Sequence, residues 1–153
     1  MDTELTQMGR RLLRAYAQRD YLKVASIARD YLSTARNYPG TTDYGNAVHQ
    51  ANTLLGLVEL HHGRVDRAAE HLLDSARTPG SPQIKAFGPN MLLAARLLEA
   101  GQQACVLRYL NMCRRLWMLS FGSLRRWSWQ IRRGRRPDFG ANLSYLTDYK
   151  SFG

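Results

Sequence analysis

Helical periodicity runs through nearly the whole chain, and it constrains the fold more than any other feature. Apolar residues recur three and four positions apart, as Leu5, Met8 and Leu12 do near the beginning, which places them on one face of a helix. No stretch alternates apolar and polar residues with the period of two that a half-buried strand requires. Turn residues such as Gly63 and Gly101 interrupt the pattern at intervals. The sequence therefore predicts an all-α protein built from antiparallel helical hairpins with short turns.

The periodic segments predict about seven helices within a single domain. A chain of 153 residues is long enough for one core and short for two. The pattern divides it into a hairpin over 1–40, a second hairpin over 43–82 and a third over 88–119. A basic capping helix and a tail follow over 120–153. The tail is rich in apolar residues from 142 onward, which predicts either a cap folded over the last hairpin or a segment that docks into a partner.

The central segment, residues 48–82, carries a regular spacing of small and large residues. Small residues allow two helices to approach closely, and large ones fill the space opposite. This spacing resembles that of a tetratricopeptide repeat, and the residues that match it are Leu55, Gly56, Gly63, Ala68, Leu72 and Pro79.

The flanking segments, 5–39 and 88–117, resemble weaker copies of the same repeat. Their turns fall near residues 19, 63 and 101, whereas the family repeats about every 34 residues. The turn-forming stretches 78–82, 87–90 and 137–142 also resemble those of small uncharacterised bacterial tetratricopeptide-like proteins. The resemblance implies a short α-solenoid of stacked hairpins.

A tetratricopeptide-like fold implies a non-catalytic scaffold or adaptor that binds a protein or peptide partner within a larger assembly and needs no cofactor. In that family the first helix of each hairpin lines a concave groove. A mixed apolar and polar groove such as this one is expected to bind a peptide through apolar anchors more than through charge. The groove positions implied here are Leu13, Tyr16, Gln50, Thr53, Leu57, Leu60, His61, Met91 and Leu98.

The positive charge is concentrated at the C-terminal end. Residues 101–153 contribute +8 of the formal net charge of +10. On the helix predicted over 123–133, Leu124, Trp127 and Ile131 share one face, which predicts that Trp127 is buried. The opposite face and the residues after it form a basic surface, made of Arg125, Arg126, Trp129, Arg132, Arg133, Arg135 and Arg136.

The basic surface admits several partners. Arginines around an indole suit nucleic acid, because guanidinium neutralises phosphate and the ring can stack on a base. They also suit an anionic lipid surface or an acidic protein, and Trp129 packed against the tail would need no partner at all. The alternative function is therefore a protein that associates with the backbone of RNA or DNA.

Motifs for catalysis or metal binding are weak. The four histidines lack the HExxH spacing, and Cys105 and Cys113 would lie roughly 12 Å apart on one helix, too far for a disulfide. The triplet at 138–140 spells a kinase motif, but its context predicts a tight turn in which Phe139 packs back as an anchor. We therefore expect no catalytic residues, no metal and no enzyme activity, although a place as an accessory subunit of an enzyme stays open.

The chain also lacks the patterns that would target it to a membrane. No window approaches the roughly 18 apolar residues that span a bilayer. The segment 1–14 is amphipathic and charged, unlike the apolar centre of a secretion signal. These features predict a cytoplasmic protein that does not span a membrane.

Overall fold

The computed structural model describes residues 3–145, and it confirms the all-α prediction. No strand occurs among these residues, which form eight α-helices and one short 3₁₀ helix over Gly140–Leu143. The helices are α1 (Glu4–Ala17), α2 (Tyr21–Ala35), α3 (Thr42–His61), α4 (Val65–Ser75), α5 (Pro82–Phe87), α6 (Leu92–Glu99), α7 (Gln103–Cys113) and α8 (Ser123–Arg132).

Three helical hairpins, α1–α2, α3–α4 and α6–α7, end their first helix in the same way. In each turn one residue has a positive φ: 56° at Arg19, 76° at Gly63 and 81° at Gly101. The next residue donates its backbone N–H to a carbonyl in the last turn of the first helix, the Schellman pattern that closes a helix end. These bonds run from Asp20 to Ala15 (3.1 Å), from Arg64 to Glu59 (2.9 Å) and from Gln102 to Leu97 (2.9 Å).

Arg19 is the position in these turns where the backbone is strained. A side chain with a Cβ pays about 1–2 kcal/mol in the left-handed region, whereas glycine adopts it freely. Because glycine also loosens the unfolded chain, we expect Arg19→Gly to raise the free energy of unfolding by about 0.5–1 kcal/mol in a urea titration. Gln18, with φ of −82°, is the control, and Gln18→Gly should give no gain. A fall in stability for Arg19→Gly would contradict this account of the turn.

Helix α3 lies at the centre of the fold and is covered on several sides. It contacts α1, α2, α4 and α6, and residues 49–59 are all buried. Glycines make this crowding possible: a Cβ on Gly56 would lie 2.3 Å from Leu93 Cδ2, and a Cβ on Gly45 would lie 1.8 Å from the Gly80 carbonyl oxygen. The small residue at 56 therefore permits the close approach that the sequence predicts there.

The polar residues of α3 are hydrogen-bonded inside the core. The Thr53 hydroxyl donates to the His49 carbonyl at 2.8 Å, and Asn52 Oδ1 lies 3.0 Å from His71 Nδ1 on α4. His49 itself is fully buried. Its Nδ1 donates to the Ser75 carbonyl (3.0 Å), and its Nε2 accepts from the Asn90 backbone N–H (2.8 Å). His49 thereby joins α3 to α4 and to the loop before α6.

Burial holds the His49 ring neutral. Removal from water disfavours the charged imidazolium and lowers the pKa of His49 to about 4, although the Ser75 carbonyl works in the opposite direction. The tautomer with its proton on Nδ1 satisfies both contacts of the ring. His49 is therefore a core residue that links three segments.

One short helix is not predicted by the periodicity. Helix α5 lies inside the stretch 78–88, which the sequence pattern assigns to a connection. Its N-terminal signal is present: the Ser81 hydroxyl accepts the Ile84 N–H, and Pro82 occupies the first helical position. Ile84 then contributes a fully buried side chain. Helix α5 has only about one and a half turns, which is too short for a repeating apolar pattern to be recognised in the sequence.

Helix α7 ends at Cys113, whereas the sequence predicts a helix to Leu119. Long-range hydrogen bonds hold the following residues out of a helix. Arg115 donates to the carbonyls of Ala76 (2.8 Å) and Thr78 (2.9 Å) at the end of α4, and the Leu119 N–H donates to the Lys85 carbonyl at 3.2 Å. Because these partners lie more than 30 residues away in sequence, local periodicity cannot anticipate them.

The first part of the predicted tail packs back on the third hairpin. Asn142 Nδ2 donates to the carbonyls of Phe87 and Pro89, each at 3.0 Å. The Met91 N–H donates to the Asn142 carbonyl at 2.8 Å. Residues 146–153, on which the rest of the predicted cap falls, lie outside the described residues. In the described part of the chain, no helix has the length and apolar character needed to cross a membrane.

Candidate functional site

A cleft opens where the first helices of the three hairpins meet. We call it the inner cleft; its volume is about 460 Å³. Residues of α1, α3 and α6 contribute to it, together with the turn between α1 and α2 and the beginning of α2. The lining residues are Tyr16, Ala17, Arg19, Tyr21, Leu57, Leu60, His61 and Arg96.

Aromatic rings form one wall of the inner cleft. Tyr21 stacks on the His61 imidazole with 4.0 Å between ring centroids and 26° between planes. His62 makes an edge contact with His61 at 5.3 Å. The half-buried Tyr16 has a raised pKa, mainly because burial disfavours its phenolate. Burial therefore keeps the Tyr16 phenol beside this wall uncharged.

The rim of the inner cleft carries two guanidinium groups that the sequence-based groove omits. Arg19 and Arg96 are both exposed, and both lower the Tyr16 pKa against the larger effect of burial, which places their charge near the phenol. Arg96 contacts Glu99 at 3.4 Å, but both side chains are about half exposed, so water screens this pair. The cleft thus offers an apolar floor at Leu57 and Leu60 together with a cationic rim.

Four of the nine predicted groove residues line the inner cleft: Tyr16, Leu57, Leu60 and His61. The structure does not bring the other five to its surface. Leu98 is half-buried against the core, and the remaining four are no more than 1% exposed, namely Leu13, Gln50, Thr53 and Met91.

The four buried positions are corrections to the predicted groove. Gln50 and Thr53 lie on α3, which neighbouring helices cover along most of its length, so only its C-terminal end reaches the cleft. Met91 precedes the first residue of α6 and is hydrogen-bonded to the tail. In the tetratricopeptide pattern one face of each first helix stays exposed. Here the helices packed around α3 cover most of that face.

The basic surface lies on α8 and the residues that follow it, as the sequence predicts. Trp127 is buried (3% exposed) and Trp129 is 47% exposed. Trp127 packs against Trp117, with centroids 5.6 Å apart, and against Phe139 at 5.0 Å. All six arginines of the basic surface are exposed, and none forms an ion pair within residues 3–145.

Two arginines lie against the exposed indole. The Arg133 guanidinium carbon is 4.5 Å from the centroid of the Trp129 ring, and that of Arg135 is 6.0 Å away. Such cation–π contacts are worth about 0.5–1 kcal/mol at exposed sites. They orient the indole but leave about half of its surface in water, where a flat partner can stack on it.

The burial of α8 weighs against a lipid partner. An interfacial helix inserts a broad apolar face into the headgroup region. The apolar face of α8, formed by Leu124, Trp127 and Ile131, is buried in the protein core. Within α8 itself Trp129 is the one large apolar side chain that is exposed, although Met118, Leu119 and Phe121 in the segment before the helix are exposed as well. The arrangement favours a charged partner that contacts the arginines and the indole from outside.

A second depression lies between α7 and α8, beside the basic surface. We call it the arginine slot, and its volume is about 240 Å³. Three guanidinium groups from two helices surround it above a floor of leucines. The lining residues are Leu107, Leu110, Asn111, Arg114, Leu124, Arg125, Ser128 and Arg132. The periodicity of α8 identifies Arg125 and Arg132, but Arg114 joins them only through the packing of α7 on α8.

The other candidate residues have structural roles. Asp138 Oδ1 accepts the Gly140 N–H at 2.9 Å, and Phe139 is buried against Trp127, so this segment forms the anchored turn that the sequence predicts. Both cysteines are free thiols. Glu59 forms an ion pair with Arg64. Among residues 3–145, no three histidine, cysteine or acidic side chains are grouped so that they could hold a metal ion.

The comparisons with known proteins assign no function, so the function is inferred from the inner cleft and the basic surface. The resemblance to tetratricopeptide repeats rests on the sequence, most specifically on residues 48–82, and stays a prediction. Comparison with protein-family models, with curated proteins and with solved structures finds no match to this chain.

Proposed function

We propose that this protein is a non-catalytic, tetratricopeptide-like scaffold that binds a protein or peptide partner in the inner cleft. The observation that carries the proposal is the origin of the lining: α1, α3 and α6, the first helices of three successive hairpins, all contribute to one cleft. Helical-repeat proteins use such a shared concave surface for binding.

The chemistry of the inner cleft indicates the kind of peptide. Leu57 and Leu60 provide an apolar floor that an aliphatic or aromatic side chain can occupy, and Tyr21 adds a flat wall. Arg19 and Arg96 at the rim favour an acidic group beside that anchor. The lining contains no carboxylate, serine or cysteine among the described residues, which is why we propose binding without catalysis.

Selection of peptides from a displayed library on the full chain tests this function. Arg96→Glu with His61→Ala reverses charge and removes an aromatic ring at the cleft, and both side chains are exposed. We expect this variant to bind the selected peptides at least about tenfold more weakly, the effect of losing one good contact. The matched control, Arg29→Glu with Tyr38→Ala, also reverses one charge and removes one exposed ring, but neither residue lines the cleft, so it should bind within about twofold. Equal binding by both variants would contradict the cleft assignment.

The second candidate function is association with RNA or DNA through the basic surface. The half-exposed Trp129, with Arg133 and Arg135 beside it, supplies an indole for stacking on a base and cations for phosphate, and the burial of the apolar face of α8 weighs against a lipid partner. Phosphate contacts release counterions, so binding should weaken steeply as salt rises. Affinity purification of the full chain with and without nuclease separates the two functions, because a partner bound in the inner cleft should survive nuclease treatment.

A further inference from the structure

The arginine slot has a charge arrangement that folding does not account for. Between residues 100 and 137 the chain contains nine arginines and no acidic residue. Of the slot arginines, Arg114 follows the last turn of α7 and Arg132 lies in the last turn of α8, where a cation interacts favourably with the helix dipole. Arg125 lies in the first turn of α8, where the dipole disfavours a cation.

The surroundings of the slot strengthen its preference for an anion. Arg114, Arg125 and Arg132 form no ion pair within the described residues, so an anion bound between them would relieve their mutual repulsion. The floor of the slot includes the buried Leu110 and Leu124, whereas the three arginine side chains are exposed. Forked guanidinium groups from two helices match the oxygens of a phosphate.

Trp129 does not line the slot itself, but it lies on the same helix as Arg125 and Arg132. It is four residues after Arg125 and three before Arg132, so all three side chains share one side of the helix. The indole is 47% exposed. A chain of phosphates that passes through the slot would therefore bring its next base to the Trp129 ring. A base inside a duplex cannot present its face in this way, whereas an unpaired base can.

We propose that the arginine slot holds a backbone phosphate of single-stranded nucleic acid, with one unpaired base stacked on Trp129. This inference rests on the second candidate function. It adds a specific phosphate-binding site and a preference for single-stranded over duplex nucleic acid. Ser128 and Asn111 line the same slot and supply polar groups beside the phosphate. The inner cleft plays no part in this binding.

Fluorescence anisotropy on the full chain tests the proposal, with labelled oligouridine and a duplex RNA of equal length as probes. The slot variant carries Arg114→Gln, Arg125→Gln and Arg132→Gln; the charge-matched control carries Arg11→Gln, Lys23→Gln and Arg29→Gln on α1 and α2. All six side chains are exposed. Over about 50–200 mM salt, loss of the one phosphate held in the slot should flatten the plot of log affinity against log salt by about 0.7 for oligouridine. The control should keep the wild-type slope.

Trp129→Ala provides the second measurement. Loss of one stacked base should weaken oligouridine binding by about 5- to 150-fold and leave duplex binding nearly unchanged. Equal weakening for both probes would overturn the preference for single strands.

The outcomes separate the slot from the function on which it rests. If neither RNA binds at low salt, the second candidate function fails and the slot with it. If oligouridine binds but the slot variant keeps the wild-type slope, the slot assignment is wrong while the function stands. Binding of anionic phosphatidylserine vesicles in place of both RNAs would overturn the choice of ligand.

Discussion

Replacing Trp127 by alanine is expected to lower the free energy of unfolding by about 3–5 kcal/mol, the range for large aromatic residues removed from cores. Trp127 is 3% exposed and lies between Trp117 and Phe139. Its removal leaves a cavity that these two rings cannot both close. A loss of this size is a large share of the stability of a small domain. Urea titration of wild type and variant measures it.

Trp129→Ala is the matched control for this prediction. Trp129 is half exposed and contacts Arg133 and Arg135 mainly through cation–π interactions, so its loss should cost no more than about 1 kcal/mol. Equal destabilisation by both variants would place Trp129 in the core and remove the indole from the basic surface. No destabilisation by Trp127→Ala would contradict the packing of α8.

Acidification should destabilise the protein through His49, with an effect on the order of 3 kcal/mol. The unfolded chain takes up a proton on this residue below its ordinary pKa of 6.5, but the folded chain does so only near pH 4. Between these values unfolding binds a proton, so stability is fully present above pH 6.5 and falls as the pH is lowered toward 4. His71, whose pKa burial also lowers, acts in the same direction.

Urea titrations at several pH values on wild type and His49→Gln measure the His49 contribution. The variant should be less stable at neutral pH, because it lacks one of the two buried hydrogen bonds, and it should lose less stability on acidification. NMR titration of the wild-type imidazole provides an independent check should the variant fold poorly. A His49 ring that titrates near 6.5 would contradict its burial and its contact with the Asn90 N–H.

The sequence predicts the elements better than it predicts their surfaces. Periodicity and turn residues anticipate the fold class and the buried face of α8, because these depend on neighbours three or four residues apart. The short α5 begins with a local Ser81 cap but is too short to show a periodic pattern. The early end of α7 is accompanied by the bonds of Arg115, whose partners lie far away in sequence and are reached only after the hairpins pack.

The candidate sites likewise include residues that the local sequence predicts and residues that only tertiary packing brings together. Arg125, Trp129 and Arg132 can be assigned to one surface from helical geometry alone. The inner cleft cannot: Gln50 and Thr53 are polar, which favours exposure, yet both are buried because α3 is surrounded by helices, where the Thr53 hydroxyl donates to the His49 carbonyl. Arg96 lies in the cleft because α6 packs on α3, and local sequence patterns do not predict that packing.

Site-specific photo-crosslinking in the native cell tests the central claim, that the inner cleft receives the partner. A photoreactive amino acid would replace His61, an exposed cleft residue, or Leu22, which is 83% exposed on α2. The account predicts a discrete adduct from position 61 that disappears when Arg96→Glu is added, and none from position 22. An adduct from position 22 alone, or one from position 61 that persists with Arg96→Glu, would contradict it.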